Sequence, residues 1–394
     1  MRLAVPVAAV AALALLGGCA SNTSPTAPPT GTRISERGVV LPAEIRGDAL
    51  VVAAKGAHGA LYHFLVDTGS SRTLVSPDLA QALAAKGPPP HPAQVEVRAA
   101  DGTTTLLPAA VLGRLSLGGA RFEYVPALVY DCSTLSDELG ERIDGVLGFS
   151  LFRDTVLTLD YPHSRVLITG PRPEPVDGSS AVLPTNPGSN IPVVTLKIAG
   201  RPIYAIIDSG KDVPLSLNRV VARRSDFAFG PIPGTMVHDL RGDRQQRIGR
   251  LAVDLTIGQY VVPRPIAELT EDLSTIGGGI LRFFSVTFDQ PNGEVRFYRN
   301  AADPIAIPAE RGTGLGFSRT PAYWRVVGVM PGSPAEKMGI SPGDLVTKIN
   351  GEPVAQWDKP RYDALQAGAA QVRLSFLAGT SQYEKTVPIV ELVP

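Results

Sequence analysis

The sequence predicts a mainly β chain built as two related lobes followed by a third, smaller β-rich unit. Three observations carry this expectation. First, Phe64-Leu65-Val66-Asp67-Thr68-Gly69-Ser70 runs an apolar strand into a carboxylate, a small hydroxyl residue and a glycine, and Ile206-Ile207-Asp208-Ser209-Gly210 repeats that pattern. One copy alone reads as an ordinary tight turn, since Asp, Ser/Thr and Gly are the residues that turns recruit. Second, the flanks repeat too. Val40-Leu41-Pro42 is echoed by Val182-Leu183-Pro184, Val146-Leu147-Gly148 by Thr275-Ile276-Gly277, and Leu157-Thr158-Leu159-Asp160 by Val286-Thr287-Phe288-Asp289. Self-similarity over this length means duplicated domains, because solenoid repeats are far shorter. Third, 40 glycines and 36 prolines in 394 residues suit many short strands joined by turns.

Hydrophobic-hydrophobic-Asp-Thr/Ser-Gly, followed by hydrophobic-hydrophobic-Gly, resembles the aspartic proteases of the retropepsin and pepsin type. The resemblance covers roughly residues 39–297, and Ile276 to Phe297 looks like the end of a pepsin C-terminal lobe. It implies two pseudo-twofold-related lobes with Asp67 and Asp208 as the catalytic pair. Thr68 and Ser209 would brace the two turns, while Gly69 and Gly210 let backbone amides approach the carboxylates. Ser70 matches the hydroxyl that the family favours after the glycine. Lys211 departs from it, and an ammonium there either favours the ionised form of Asp208 or reaches to solvent.

Taken in order, Met1-Arg2, an apolar run from Leu3 to Leu16 and Gly17-Gly18-Cys19 form a secretory signal too short to span a membrane once mature. Leu16-Gly17-Gly18-Cys19 resembles the bacterial lipobox, which implies acylation of Cys19, a periplasmic location and, with Ala20 following, the outer membrane. Residues 1–18 are therefore read as signal peptide and 19–37 as a Ser/Thr/Pro/Gly tether. Lobe one covers 38–170, a linker 171–188, lobe two 189–300 and a second linker 301–312. Cys132, left alone, reads as a small buried hydrophobe. Asp101-Gly102 between β-formers signals a hairpin, either a plain turn or a flap over the cleft, and Leu240-Arg241-Gly242-Asp243 is its counterpart in lobe two.

Across 313–394, Gly314-Leu315-Gly316-Phe317, Ser333-Pro334-Ala335, Gly339, Pro342-Gly343-Asp344-Leu345 and Ile349-Asn350-Gly351 together resemble a bacterial periplasmic PDZ domain. That implies a loop at Gly314 to Phe317 holding the terminal carboxylate of a peptide that adds a strand. Thirty-seven basic and 37 acidic residues balance, without a basic tract, which argues against nucleic acid. The five histidines are scattered, so neither a metal nor a cofactor is expected.

Two carboxylates a few ångströms apart cannot both ionise, so they share a proton and supply a base and an acid for hydrolysis by water. Three function classes follow: a membrane-tethered endopeptidase acting on protein substrates, a binding protein with a weakened dyad on the same scaffold, and a homodimer pairing like lobes. The partners expected are peptide substrates, C-terminal peptides and a membrane.

Overall fold

The computed structural model describes residues 27–55, 60–87, 93–98, 104–171, 180–186, 189–239 and 242–394. Cys19, Asp101, Gly102, Leu240 and Arg241 lie outside them, as do residues 172–179 of the stretch read as linker.

Alternation of apolar and polar residues settles which face of each strand goes inward. Val193–Ile198 buries Val194, Leu196 and Ile198 and turns Thr195 and Lys197 out, as a period of two requires. Six strands form a floor shared by the lobes, in the order Ala181–Pro184, Glu294–Tyr298, Ser285–Asp289, Val156–Asp160, Arg165–Thr169 and Val39–Arg46. Its two middle strands run antiparallel with Thr158 opposite Thr287, and the two hydroxyls meet at 2.9 Å. These are the duplicated Leu-Thr-Leu-Asp and Val-Thr-Phe-Asp segments, so the repeat is expressed as a local twofold.

Above the floor the lobes share one topology. Leu61–Asp67 runs parallel to Gly145–Gly148, as Arg201–Ile207 does to Ser274–Ile276. Thr73–Val75 and Leu215–Asn218 cross these, each pairing antiparallel with one strand and parallel with another. The glycine ending each hydrophobic-hydrophobic-Gly segment has a steric reason: a side chain on Gly148 would overlap the Arg72 backbone, and one on Gly277 the carbonyl of Val213. A single apolar core, including Phe64, Phe122, Phe284 and Phe288, runs through both lobes.

The two stretches read as linkers need correction. Ala181–Pro184, inside 171–188, pairs with Glu294–Tyr298 and buries Ala181 and Leu183 as an edge of the floor. Within 301–312, Ile305 and Ile307 are buried against lobe two, and Glu310–Gly312 pairs with Val390–Val393. Apolar side chains at these positions hide surface that a free tether would expose. The Arg250 guanidinium closes this junction, donating to carbonyl oxygens of Ile307 and Pro308 and to Pro394 O.

The last unit has its own core around Trp324, Tyr362 and Phe376. Its sheet runs Leu315–Arg319, Trp324–Val329, Leu345–Ile349, Gln371–Ala378 and Ser381–Pro388, with helix Lys359–Gly368. Asp358 caps that helix by accepting from Arg361 N, and Lys359-Pro360 supplies the proline of its first turn. Leu392 and Val393 are buried with the lobes' core and not in this unit's own. Among the described residues no helix is long and apolar enough to cross a membrane.

Candidate active site

Each Asp-Thr/Ser-Gly turn follows a buried strand end, so the two carboxylates are delivered to the same point from opposite sides. The cross-links are mutual. Thr68 Oγ1 donates to the Ile207 carbonyl (2.6 Å) and accepts from Ser209 N (3.1 Å). Ser209 Oγ donates to the Val66 carbonyl (2.7 Å) and accepts from Thr68 N (3.1 Å). Both hydroxyls are sealed from solvent, Thr68 being 1% exposed and Ser209 0%. Four buried groups of each lobe thus find partners only in the other, which fixes the lobes' relation.

A side chain on Gly69 would overlap the Asp208 carboxylate, and one on Gly210 would come within 2.7 Å of both Asp67 oxygens. Each carboxylate therefore lies over the other motif's glycine. Asp67 accepts from Ser70 N (3.0 Å) and Asp208 from Gly210 N (2.9 Å), and the two carboxyls share a hydrogen bond. Burial, followed by the Asp208 charge, holds the Asp67 carboxyl well above the usual carboxylate range. Burial also raises Asp208, but the Lys211 ammonium, the Asp67 hydrogen bond and the Gly210 and Gly69 amides oppose it. The pair is asymmetric, with Asp208 the first to ionise.

Lys211 neither faces Asp208 alone nor reaches to solvent. Its Nζ contacts Glu268 Oε1, which also accepts from Ser216 Oγ, and Glu268 is only 2% exposed. At matching ladder positions of lobe one stand Leu74 and Leu128, so lobe two has an ionic network where lobe one has aliphatic packing. Tyr161 lies beneath the dyad; burial and the charges of Asp48, Asp208 and Asp67 hold its phenol far above the ordinary range. Ser216, Glu268 and Tyr161 carry no motif, and only the register of the two lobes could have singled them out.

Hairpin arms rise from both lobes. Gln94–Arg98 pairs with Thr104–Leu117, and Phe227–Asp239 with Gly242–Leu251. The tips, including Asp101 and Gly102, are outside the described residues. Arg72 Nη1 donates to the Glu96 carbonyl (3.3 Å), tying the first arm to the dyad loop. Cys132 is buried against Val51 and Ile143, and burial, with Asp131 and Asp144 nearby, pushes its thiol up to about 11.

In the third unit Gly314 has φ +84°, Leu315 is buried, and Phe317 packs on Trp324 and Tyr362. Gly316 pairs with Gly328 on the neighbouring strand. Both elements that would wall a peptide groove touch the lobes: Leu315–Arg319 meets Phe227–Asp239, and Lys359–Gly368 meets Ser133–Leu139. Arg319 bonds Glu138 across this contact at 2.5 Å.

Comparison with known proteins agrees with this layout. Residues 53–151 match the family model described as aspartyl protease, and residues 325–377 match that of the PDZ domain. A Synechocystis protein named "Putative serine protease HhoA" is 25% identical over 241 residues, 56% of this chain and 57% of its own length. The chain thus spans little more than half of the curated relative it matches. The first lobe's motif and the Gly-Leu-Gly-Phe unit are both accounted for: the chain is a mainly β protein with an aspartyl protease domain followed by a PDZ domain.

Proposed function

We propose that the protein is an aspartic endopeptidase of the bacterial cell envelope, with Asp67 and Asp208 as one dyad within a single chain. The observation that carries this reading is the crossed placement of the two carboxylates, each lying over the other motif's glycine. Their asymmetry assigns roles. Ionised Asp208 takes a proton from a water held between the carboxyls, and the oxygen attacks the scissile carbonyl carbon. Protonated Asp67 donates to the carbonyl oxygen, giving a neutral gem-diol. The C–N bond then breaks as a carboxyl proton passes to the nitrogen, and the dyad again holds one proton. Lys211 is offset by Glu268, so its charge biases the pair without fixing both carboxyls as anions.

A serine mechanism needs an imidazole between the hydroxyl and the carboxylate. Of the two histidines whose side chains are described, His63 faces Glu141 at 3.4 Å. His163 and Ser285 both bond Asp160, which leaves the carboxylate in the middle. That order argues for the aspartic reading here, whatever the Synechocystis protein does.

In this proposal Cys19 carries the lipid that tethers the enzyme, and the PDZ unit recruits substrates by their C-termini through Gly314 to Phe317. Mass spectrometry of the mature N-terminus should find an acylated Cys19, and amidating a PDZ-bound peptide should weaken it severely. The deciding experiment incubates the protein with an unfolded substrate. Cleavage should be blocked by a peptide bearing a hydroxyethylene in place of the scissile amide and untouched by serine-phosphonylating reagents. The opposite pattern of inhibition would overturn the reading.

A further inference from the structure

A cavity of about 450 Å³ lies beside the dyad loop, within the size range of ligand pockets. Its walls come from four places: Val213, Pro214 and Leu215 directly after the Asp208 turn; Ile248 on the lobe-two hairpin; Asp48 of lobe one; and the connector Ala306 to Glu310. A space bounded by both lobes, a hairpin arm and the dyad loop adjoins the path of a peptide crossing the dyad.

The walls are mostly apolar, but two carboxylate acceptors reach the cavity without a donor. Glu268 spends Oε1 on Lys211 and Ser216, while its buried Oε2 has no hydrogen-bond partner. Glu310 has no hydrogen bond or ion pair among the described residues, and its carboxyl is raised by burial and then by the charges of Asp212 and Glu268. The cations nearby are engaged elsewhere: Arg282 is bonded to Asp48 (3.0 Å) and Lys359 to Asp363 (2.6 Å). Buried acceptors without donors are costly, and an incoming N–H donor removes that cost. Among the described residues no three His, Cys, Asp or Glu side chains are arranged to hold a metal ion, so the fitting occupant is an organic cation.

We propose that this cavity is a subsite for a lysine or arginine side chain of the peptide substrate, its methylenes on Leu215, Ile266 and Phe283 and its charged end at Glu310 and Glu268. The proposal rests on the peptidase reading for its ligand. Because Glu310 opens the strand leading into the PDZ unit, this wall of the subsite belongs to the interdomain junction. Sequence motifs gave no sign of it, since its two acceptors come from different domains' boundaries.

The test separates binding from cleavage. In the Asp67→Asn protein, peptides differing only by lysine or norleucine at successive positions are titrated by calorimetry. At one position lysine should bind about tenfold more tightly. Glu310→Gln should cut that advantage below about threefold while leaving the norleucine peptide unchanged, which also shows that the variant is folded. n-Butylamine should compete with the lysine peptide alone. The proposal is overturned if no position prefers lysine, if Glu310→Gln weakens both peptides equally, or if n-butylamine binds without affecting the preference. Cleavage by the unmutated protein is scored separately, so a chain that hydrolyses nothing yet keeps the lysine preference sinks the peptidase and retains the subsite.

Discussion

Replacing Thr68 by Val keeps the shape of the side chain but deletes the hydroxyl at the junction of the lobes. The Ile207 carbonyl loses its donor at 2.6 Å and Ser209 N its acceptor at 3.1 Å, both at a site where Thr68 is 1% exposed. A buried backbone group left without a partner costs about 1–3 kcal/mol, so the substitution should cost about 2–5 kcal/mol. Against a typical stability of about 5–15 kcal/mol for a domain, that is a large fraction. Ser209→Ala orphans the Val66 carbonyl and Thr68 N in the same way. Because the two hydroxyls belong to one network, the double variant should cost clearly less than the sum of the singles. The assay can separate the domains, since the chain's 2 tryptophans, Trp324 and Trp357, both lie in the PDZ unit. Urea unfolding followed by far-UV circular dichroism should lose midpoint for the lobes, while the tryptophan signal moves little. A Thr68→Val protein whose dichroism midpoint matches the parent's would refute the claim that this network joins the lobes.

Two further perturbations address the charges. Lys211→Met removes a cation that favours ionised Asp208, so the acid limb of the pH–rate profile should move to higher pH by about half to one unit. It also leaves Glu268 buried without its cation, whereas Lys211→Met with Glu268→Leu removes the pair. The double variant should therefore unfold at higher urea than the single. At the floor, burial raises Asp160, but donation from Ser285, His163 and Arg165 outweighs it and the carboxyl stands below its usual range. A depressed folded pKa contributes stability above the unfolded value that is lost as pH falls through the folded one. Asp160→Asn should thus lower the urea midpoint at pH 7 and have little effect near pH 2, and an equal loss at both would count against this role.

The fold was legible because duplication states it twice. Asp67 and Asp208, the Thr158 and Thr287 strands, and the two hydrophobic-hydrophobic-Gly segments carry the same instructions in both lobes, and the structure superposes them on one local axis. What was hidden depends on partners far apart in the chain. Glu268 looks like any exposed acid in Ala267-Glu268-Leu269 until the parallel ladder sets it beside Ser216. Residues 301–312 read as a linker because their polar and proline content masks Ile305 and Ile307, whose burial needs lobe two in place. Lys211 likewise could not be judged from its neighbours in sequence, since the group that engages it comes from residue 268.

The measurement that bears most directly on the dyad is hydrolysis of one peptide by Asp67→Asn, Asp208→Asn and the double variant. One shared proton makes the carboxyls interdependent, so each single substitution should remove nearly all kcat, and the double should be little worse than either. Asn is close in size and takes a negative charge out of a crowded site, so all three proteins should keep the parent's dichroism. If Asp208→Asn cleaves as fast as the parent while Asp67→Asn does not, the dyad within one chain is wrong and a pairing of first lobes between chains takes its place.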